Sequence, residues 1–278
     1  MRNWTPALAV EAMDENRIAL AMTSLAVGGV SFQGPGARTL ARKSNEYGAR
    51  MASDYPGRFG LFAALPLPDQ DGSLLELTYA FDVLKADGIA LLTDYGDKWT
   101  GDPAYAPTFE ELNRRNAVVF VHPTVPTCCR TMVPGIPASL TEYLFDTTRA
   151  ITSFLVNGTF TRFPNVRFIF CHSGGTISVL ANRINAVFPK ELSKNMPGGV
   201  LGELRRQHYD VANASEPAPL AALTDLVPPS QLLFGSDFPF APIDRTTGPP
   251  DHANFSANEM KAINRENAER LFPRLKNL

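Results

Sequence analysis

The sequence is poor in histidine and cysteine, and this scarcity limits the sites it can build. Only four histidines occur among 278 residues, and none precedes His122. The three cysteines, Cys128, Cys129 and Cys171, are an odd number with two adjacent members. This pattern does not favour a disulfide framework, and no spacing fits a structural zinc site of four cysteines or of paired cysteines and histidines. We therefore expect a reducing, cytosolic setting.

Strong net charge and long apolar runs are also absent. With 26 basic and 28 acidic residues, the net charge of −2 gives no support for a nucleic-acid or membrane-surface binder. No apolar run approaches the roughly 20 residues that span a bilayer, and the first residues lack the apolar core of a signal peptide. A hydrophobic content of 44% is instead typical of a soluble globular protein. We predict a single domain over residues 1–278.

The chain alternates between short apolar runs and longer segments with helical spacing. Runs of Val, Ile, Leu and Phe predict seven buried parallel strands, near Ile18–Leu25, Phe59–Pro66, Gly88–Thr93, Val118–His122, Val166–His172, Tyr209–Ala212 and Leu232–Asp237. Apolar residues three or four apart predict helices near Arg38–Ser53, Ser73–Lys85, Thr108–Arg115, Leu140–Asn157, Thr176–Phe188, Ala218–Leu226 and Ala257–Leu271.

The chain opens with a helix instead of a strand. Thr5 suits the N-cap and Pro6 the first turn, with Leu8, Ala12 and Met13 predicted to face inward. One helix followed by seven βα units predicts a TIM-like (β/α)8 barrel that lacks its first strand. The alternative is an open doubly wound sheet. No glycine-rich phosphate loop follows any predicted strand, which counts against a nucleotide-binding version of that fold.

Three acid–base side chains lie at the carboxyl ends of predicted strands. His122, His172 and Asp237 each close or follow an apolar run. In a parallel barrel these ends gather at one face, where functional residues belong. Imidazole and carboxylate groups are ligands for a divalent metal, so we predict one shared metal pocket. Taken singly, each residue could equally be a hydrogen-bonded loop residue or a turn cap. His208 and His252 lack this placement and are interpreted as structural.

The segments around these residues resemble a known enzyme family. In order and spacing, they are similar to those of the amidohydrolase-related metal-dependent decarboxylases, which act on aminocarboxymuconate semialdehyde, γ-resorcylate or 6-methylsalicylate. The segments are Val-Phe-Val-His122-Pro123, Phe-Cys-His172-Ser-Gly-Gly and Phe-Gly-Ser-Asp237-Phe-Pro. Three further segments resemble the family as well: Gly57–Pro66, Phe145–Arg149 and the closing Ile263–Phe272. The similarity covers nearly the whole chain.

The resemblance implies a role for each site residue. His122 and Asp237 would bind the metal, Asp237 could also move protons, and His172 would face the metal-bound water or the substrate. Recruiting His172 would give a third ligand. Arg183 would bind the substrate carboxylate across a homodimer interface, or else is an ordinary cation on a helix surface. Cys171 is interpreted as a small buried hydrophobe. The implied cofactor is a divalent metal, with zinc first and manganese as the alternative.

The sequence departs from the family at its beginning. Members start with His-X-His at the end of the first strand, and this sequence has neither the motif nor the strand. We therefore expect metal binding to be weakened or lost, and an opened core with two exposed sheet edges. Three hypotheses remain: a non-oxidative decarboxylase, with 6-methylsalicylate to m-cresol as the first candidate reaction; an amide or lactone hydrolase; and an inactive truncated product or pseudoenzyme. Phe145–Arg149 either lines the site or begins a helix.

Overall fold

Seven parallel strands form one curved sheet in the computed structural model, which describes residues 4–25, 34, 36–126, 129, 135–243 and 255–277. The sheet order is β1-β2-β3-β6-β7-β8-β9, and β4 and β5 form a separate antiparallel hairpin. The strands are β1 Ala21–Thr23, β2 Phe59–Ala64, β3 Gly88–Leu92, β4 Asp94–Tyr95, β5 Lys98–Trp99, β6 Val118–His122, β7 Arg167–Phe170, β8 His208–Asp210 and β9 Leu232–Leu233. The seven predicted parallel strands are confirmed, and the hairpin is an addition.

Helices follow the strands in the βα order that the sequence predicts. They are α1 Pro6–Glu15, α2 Gly36–Asp54, α3 Gln70–Asp82, α4 Ala106–Arg114, α5 Glu142–Val156, α6 Thr159–Arg162, α7 Ile177–Val187, α8 Lys190–Ser193, α9 Gly199–Arg205, α10 Pro217–Leu226, α11 Ala257–Lys261 and α12 Asn267–Leu271. A π-helical turn, Ala262–Glu266, joins α11 to α12. The short helices α6, α8 and α9 are not predicted, because four to seven residues show too little periodicity.

The opening helix begins as predicted but turns a different face inward. The side chain of Thr5 accepts a hydrogen bond from the backbone N–H of Leu8 at 3.2 Å, which caps α1. Ala9 and Met13, one turn apart, are buried in a cluster with Phe59. Leu8 is 47% exposed, so the prediction that it faces inward is wrong. The apolar stripe follows i, i+4 spacing from Ala9, which carries Leu8 to the solvent side.

The central strands are buried on both faces. Their alternate residues join the large cluster under the helices, as Val119, Val121, Phe168 and Phe170 do. The residues between them join a smaller cluster inside the curve of the sheet, which includes Phe62, Ala90, Val118, Ile169 and Leu233. This two-sided burial is typical of parallel sheets covered by helices, and it explains why the strands are continuous apolar runs.

The sheet ends at β1 and β9, which do not pair with each other in the described residues. A cleft of about 1640 Å³ opens on the inner side, lined by Met22, Phe62, Phe120, Leu233, Phe272 and the strand-end residues. The closing helix covers part of the β9 edge, where the N–H of Phe234 donates to the π-turn carbonyl of Ile263 at 3.1 Å. The inner side of the sheet is therefore open as a cleft, whereas the expected exposure of both sheet edges does not hold for the part of β9 that the closing helix covers.

Two smaller observations bear on the composition. Among the described residues, none of the helices combines the length and apolar character needed to cross a bilayer. Cys171 is a free, buried thiol, whereas Cys129 is disulfide-bonded, which the odd cysteine count does not predict.

Candidate metal centre and active site

The three predicted strand-end residues face one cleft. His122 ends β6, His172 follows β7 by two residues, and Asp237 follows β9 by four. The imidazole centroids of His122 and His172 lie 5.6 Å apart. Nε2 of His172 lies 3.7 Å from Oδ2 of Asp237. The tertiary structure thus brings together three side chains that are 50 and 65 positions apart in sequence.

The imidazole of His122 presents one free nitrogen to the cleft. Its Nδ1 lies 2.8 Å from the carbonyl oxygen of Pro123, so Nδ1 carries the proton and donates. Its Nε2 has no hydrogen-bond partner in the described residues, although the side chain is only 6% exposed. Burial, with a smaller contribution from His172, lowers the pKa of His122 to about 4. A neutral imidazole with a fixed tautomer and a free lone pair is the form that binds a metal.

His172 is held between a thiol and two carboxylates. Its backbone N–H donates to Oδ1 of Asp210 at 2.9 Å, and its Nδ1 lies 3.3 Å from the sulfur of Cys171. Burial lowers the pKa of His172, but the Cys171 sulfur and the Asp237 carboxylate outweigh it, so that pKa stands well above the ordinary value. The imidazole therefore has a distinct neighbour at each ring nitrogen.

Asp237 is positioned by a neighbouring strand end. Its Oδ2 accepts a hydrogen bond from the side-chain amide of Asn213 at 2.5 Å, and its side chain is 18% exposed. Unlike His122, it keeps partial access to solvent within the cleft. Such a carboxylate is placed to exchange a proton with His172 or with a bound molecule.

The site contains two residues that the sequence reasoning missed, Asp210 and Asn213, and a third, Cys171, that it interpreted as a small buried hydrophobe. Asp210 ends β8 and is buried, and burial raises its pKa to about 6 despite hydrogen bonds from the N–H groups of Ala212 and His172. The signal was available, because Asp210 and Asn213 follow the same strand-end rule as His122. Within the described part of the chain, His122, Cys171 and His172 form the group whose ligand atoms all lie within 4.8 Å of one another.

Left-handed backbone conformations gather at these strand ends. His172, Ser173, Asn213 and Asp237 have φ values between 51° and 56°. For residues other than glycine this region is sparsely populated and costs of order 1–3 kcal/mol each, and it clusters at functional sites. The turns after β7, β8 and β9 therefore direct side chains into the cleft at the expense of local stability.

Tyr143 lies beside the predicted metal site, whereas Arg183 does not. Tyr143, at the start of α5, lies with its ring 6.3 Å from that of His122, and burial raises its pKa. Arg183 is exposed on α7 and does not line the cleft. Within a single copy of the described chain, the structure does not bring Arg183 to the predicted metal site.

The donor set fits a divalent metal of borderline softness. The buried cluster offers the free Nε2 of His122, the Cys171 sulfur and an imidazole nitrogen of His172, with Asp237 beside it. Imidazole and thiolate groups suit zinc and its neighbours in the first transition row.

A family model described as "Amidohydrolase" matches residues 14–274, nearly the whole chain. The chain belongs to the amidohydrolase family. The match spans all seven parallel strands and every strand-end residue described above. The amidohydrolase fold accounts for the curved parallel sheet and for the position of the cleft at its carboxyl ends.

Similar amidohydrolase-family proteins carry decarboxylase names. "Decarboxylase yanB" of Aspergillus niger is 36% identical over 98% of this chain and 79% of that protein. "6-methylsalicylic acid decarboxylase" of Penicillium expansum is 35% identical over 90% of this chain and 82% of that protein.

Solved structures support the fold. A crystal structure described as an amidohydrolase II superposes with a TM-score of 0.90, at 28% identity over 98% of this chain and 89% of that one. A dihydroxybenzoic acid decarboxylase from Polaromonas sp. JS666, solved with bound manganese and the inhibitor 2-nitroresorcinol, superposes with a TM-score of 0.85. It is 21% identical over 96% of this chain and 85% of that one. At that identity the likeness concerns the fold alone.

Proposed function

We propose that this chain is a metal-dependent, non-oxidative decarboxylase of a small aromatic carboxylic acid. The observation that carries the proposal is the approach of His172 to Asp237, at 3.7 Å, beside the buried imidazole of His122. This constellation lies in a chain that is 35% and 36% identical to proteins named as decarboxylases. The first candidate reaction is conversion of 6-methylsalicylate to m-cresol and carbon dioxide.

The residues of the cleft supply the proposed metal site. His122 and Asp237 are the proposed ligands that the resemblance implies, and His172 is the proposed third ligand. Asp237 lies on the Nε2 side of His172. Zinc is the first candidate, and manganese is the alternative because a structural relative was solved with it. When bound, the metal supplies Lewis acidity toward the substrate oxygens.

The remaining chemistry is a proton transfer that the cleft can perform. A proton moves to the ring carbon that bears the carboxylate, the carbon–carbon bond breaks, and its electron pair restores the aromatic ring as carbon dioxide leaves. Nε2 of His172 and Oδ2 of Asp237 lie 3.7 Å apart, so either residue is placed to deliver the proton, and the side-chain amide of Asn213 donates a hydrogen bond to the carboxylate of Asp237. The apolar inner face, with Phe62 and Phe120, would pack against an aromatic ring.

A product assay tests this proposal. The full chain, loaded with zinc or manganese, is incubated with 6-methylsalicylate while m-cresol and carbon dioxide are measured. We expect Asp237→Asn and His172→Gln to lower kcat by about 10²–10⁴-fold, the range for general acid–base groups. His208→Gln, outside the cleft, is the matched histidine control. Water addition to an amide or lactone without carbon dioxide release would favour the hydrolase, and a metal-loaded chain that releases no carbon dioxide from aromatic acids contradicts the proposal.

Arg183 enters the proposal through a second copy of the chain. It is exposed on α7, and Val179 and Val187, one turn to either side, are 72% and 68% exposed. Exposed valines that flank an arginine on one helix face fit a subunit interface. We propose that the chain forms a homodimer in which this face delivers Arg183 to the partner's substrate carboxylate. The cytosolic setting stays a prediction.

A further inference from the structure

We propose that Asp210 is a positioning residue that sets the approach of His172 to Asp237. Asp210 ends β8, which lies in the sheet between β7, the strand that leads to His172, and β9, the strand that leads to Asp237. The inference rests on the proposed function, in which His172 and Asp237 move the proton, and it adds a residue that acts through both of them.

The carboxylate of Asp210 is bonded to the turn that carries His172. Backbone pairing between β7 and β8 ends with Phe170 opposite Tyr209. Beyond that pair, the N–H of His172 donates to Oδ1 of Asp210 at 2.9 Å, so a side-chain oxygen accepts where the strand pairing has ended. His172 has a left-handed φ of 52°, a conformation that persists only where the surrounding structure maintains it. The hydrogen bond to Asp210 is part of that surrounding structure.

The same oxygen of Asp210 is bonded to the turn after β8. Oδ1 also accepts the N–H of Ala212 at 3.0 Å. The next residue, Asn213, has φ of 51°, and its side-chain amide donates to Oδ2 of Asp237 at 2.5 Å. One carboxylate oxygen is thus bonded directly to the His172 turn and is connected to Asp237 through the turn after β8.

Gly235 packs against Asp210 from the third strand end. It lies between β9 and Asp237, and a Cβ at this position would lie only 2.9 Å from Cγ of Asp210 and 3.1 Å from Cβ of Ala212. Gly235 does not have a left-handed φ, so close packing and not backbone conformation requires a glycine here. The missing side chain leaves room for Asp210 between the ends of β7, β8 and β9.

This arrangement makes the position of one buried side chain decisive for the acid–base pair. Asp210 is only 7% exposed. Nε2 of His172 and Oδ2 of Asp237 lie 3.7 Å apart, slightly beyond hydrogen-bond distance. A displacement of about 1 Å in a reacting group can lower a rate by about 10²-fold. Loss of the two hydrogen bonds to Asp210 would free both turns and therefore affect proton transfer more than substrate binding.

Two substitutions at Asp210 separate position from charge. Asp210→Ala removes the acceptor of both N–H groups, whereas Asp210→Asn keeps a side-chain oxygen and removes the negative charge. The zinc-loaded full chain is assayed with 6-methylsalicylate. We expect Asp210→Ala to lower kcat by about 10²-fold with KM unchanged, and Asp210→Asn to recover most of that loss. Equal losses in the two variants, or a wild-type kcat in Asp210→Ala, overturn the inference.

The backbone amide of His172 reports the hydrogen bond without the reaction. Labelling with ¹⁵N-histidine gives four amide signals, because the chain has four histidines, and His172→Gln identifies the signal of His172. We expect hydrogen exchange at His172 to be roughly 10- to 100-fold faster in Asp210→Ala, as for a lost hydrogen bond to a charged group, and close to wild type in Asp210→Asn. His208, in the paired part of β8, is the reference signal. Unchanged exchange at His172 in Asp210→Ala contradicts the positioning role.

Gly235→Ala keeps the test valid if Asp210→Ala fails to fold. It displaces Asp210 without removing a hydrogen-bonding group, so kcat should fall and exchange at His172 should become faster. A folded Gly235→Ala protein with wild-type kcat and exchange overturns the inference. If the wild-type chain releases no carbon dioxide, the proposed function fails, while the exchange measurement still decides whether Asp210 fixes the His172 turn.

Discussion

At the scale of single residues, the fold places charges where burial changes their protonation. His208, the first residue of β8, is an example away from the cleft. Burial, with weaker contributions from the positive charges of Arg167 and Arg270, lowers its pKa to about 4. Its Nδ1 is buried without a hydrogen-bond partner in the described residues. The folded protein therefore holds His208 neutral at a pH at which the unfolded chain protonates it.

The resulting prediction concerns stability against pH. Because the pKa of His208 is lower in the folded state, the unfolded state binds more protons between about pH 6.5 and pH 4. The contribution of His208 is fully present above about pH 6.5 and is lost as the pH falls through about 4, by at most about 3 kcal/mol. We expect His208→Gln to lose less stability than wild type across this window. Urea unfolding at several pH values measures the free energy of unfolding of both proteins. If this free energy falls equally with pH in wild type and in His208→Gln, the prediction is contradicted.

At the scale of elements, α5 supports the site from behind. Asp146 on α5 is fully buried and accepts hydrogen bonds from the hydroxyl of Thr93 and from Nε1 of Trp99, the latter at 2.8 Å. Thr148, one half-turn later, accepts from the backbone N–H of Thr176 at 2.9 Å, just after the His172 turn. The segment Phe145–Arg149 is thus the interior of a helix, and it connects the β4–β5 hairpin to the turn that carries His172.

Gly175 lies where the turn that carries His172 packs against α5. Gly175 has φ of +69°, and a Cβ there would overlap the carbonyl oxygen of Leu144 on α5. Only glycine allows this close approach of the His172 turn to the helix. The Ser-Gly-Gly that follows His172 in the sequence is therefore explained by helix packing as well as by the turn.

Asp146 provides the prediction at this scale. Asp146→Ala leaves a buried hydroxyl and a buried indole N–H without their acceptor, at about 1–3 kcal/mol each. We expect a loss of about 2–5 kcal/mol in the free energy of unfolding, measured by urea denaturation. Asp146→Asn keeps one acceptor oxygen and serves as the matched control, with a smaller loss. Equal stability of Asp146→Ala and wild type would refute the supporting role of this network.

At the scale of the whole molecule, the open seam between β1 and β9 and the exposed face of α7 are the features that a second copy would affect. Arg183 cannot act on the cleft of its own chain in this structure, because it does not line that cleft. The exposed valines on either side make the α7 face the proposed contact. If Arg183 acts on the cleft of the partner subunit, two variants that are each defective can restore one complete site when they form a mixed dimer.

Subunit mixing tests this shared site. We expect Arg183→Ala to raise the KM for the carboxylate substrate by roughly 10- to 100-fold, as for a lost hydrogen bond to a charged group. Mixed with the inactive Asp237→Asn protein, it should regain activity, because one of the two sites in each mixed dimer would contain both wild-type residues. Sedimentation velocity measures whether the chain is a dimer in solution. A monomer, or a mixture no more active than its components, would exclude the shared site.

How much the sequence predicted depended on the length of the pattern. The seven strands and the long helices were predictable because apolar runs and helical spacing persist for four or more residues. The hairpin β4–β5 and the helices α6, α8 and α9 were not predictable. The two hairpin strands have two residues each and these helices have four to seven, which is too short to show a strand or helix periodicity. The inward face of α1 was misassigned at Leu8 because an apolar residue on a helix boundary fits either side until a neighbouring element is known.

The sequence by itself determined the order of the βα units and the strand-end positions of His122, His172 and Asp237. These follow from local patterns, because a parallel strand must be apolar and its carboxyl end must lead into a loop. Only the tertiary structure decided which side chains meet. The parity of β6 and β7 sets Cys171 beside His122, and the turn after β8 brings Asn213 to Asp237. Such neighbours depend on strand register and backbone turns, which no short stretch of sequence specifies.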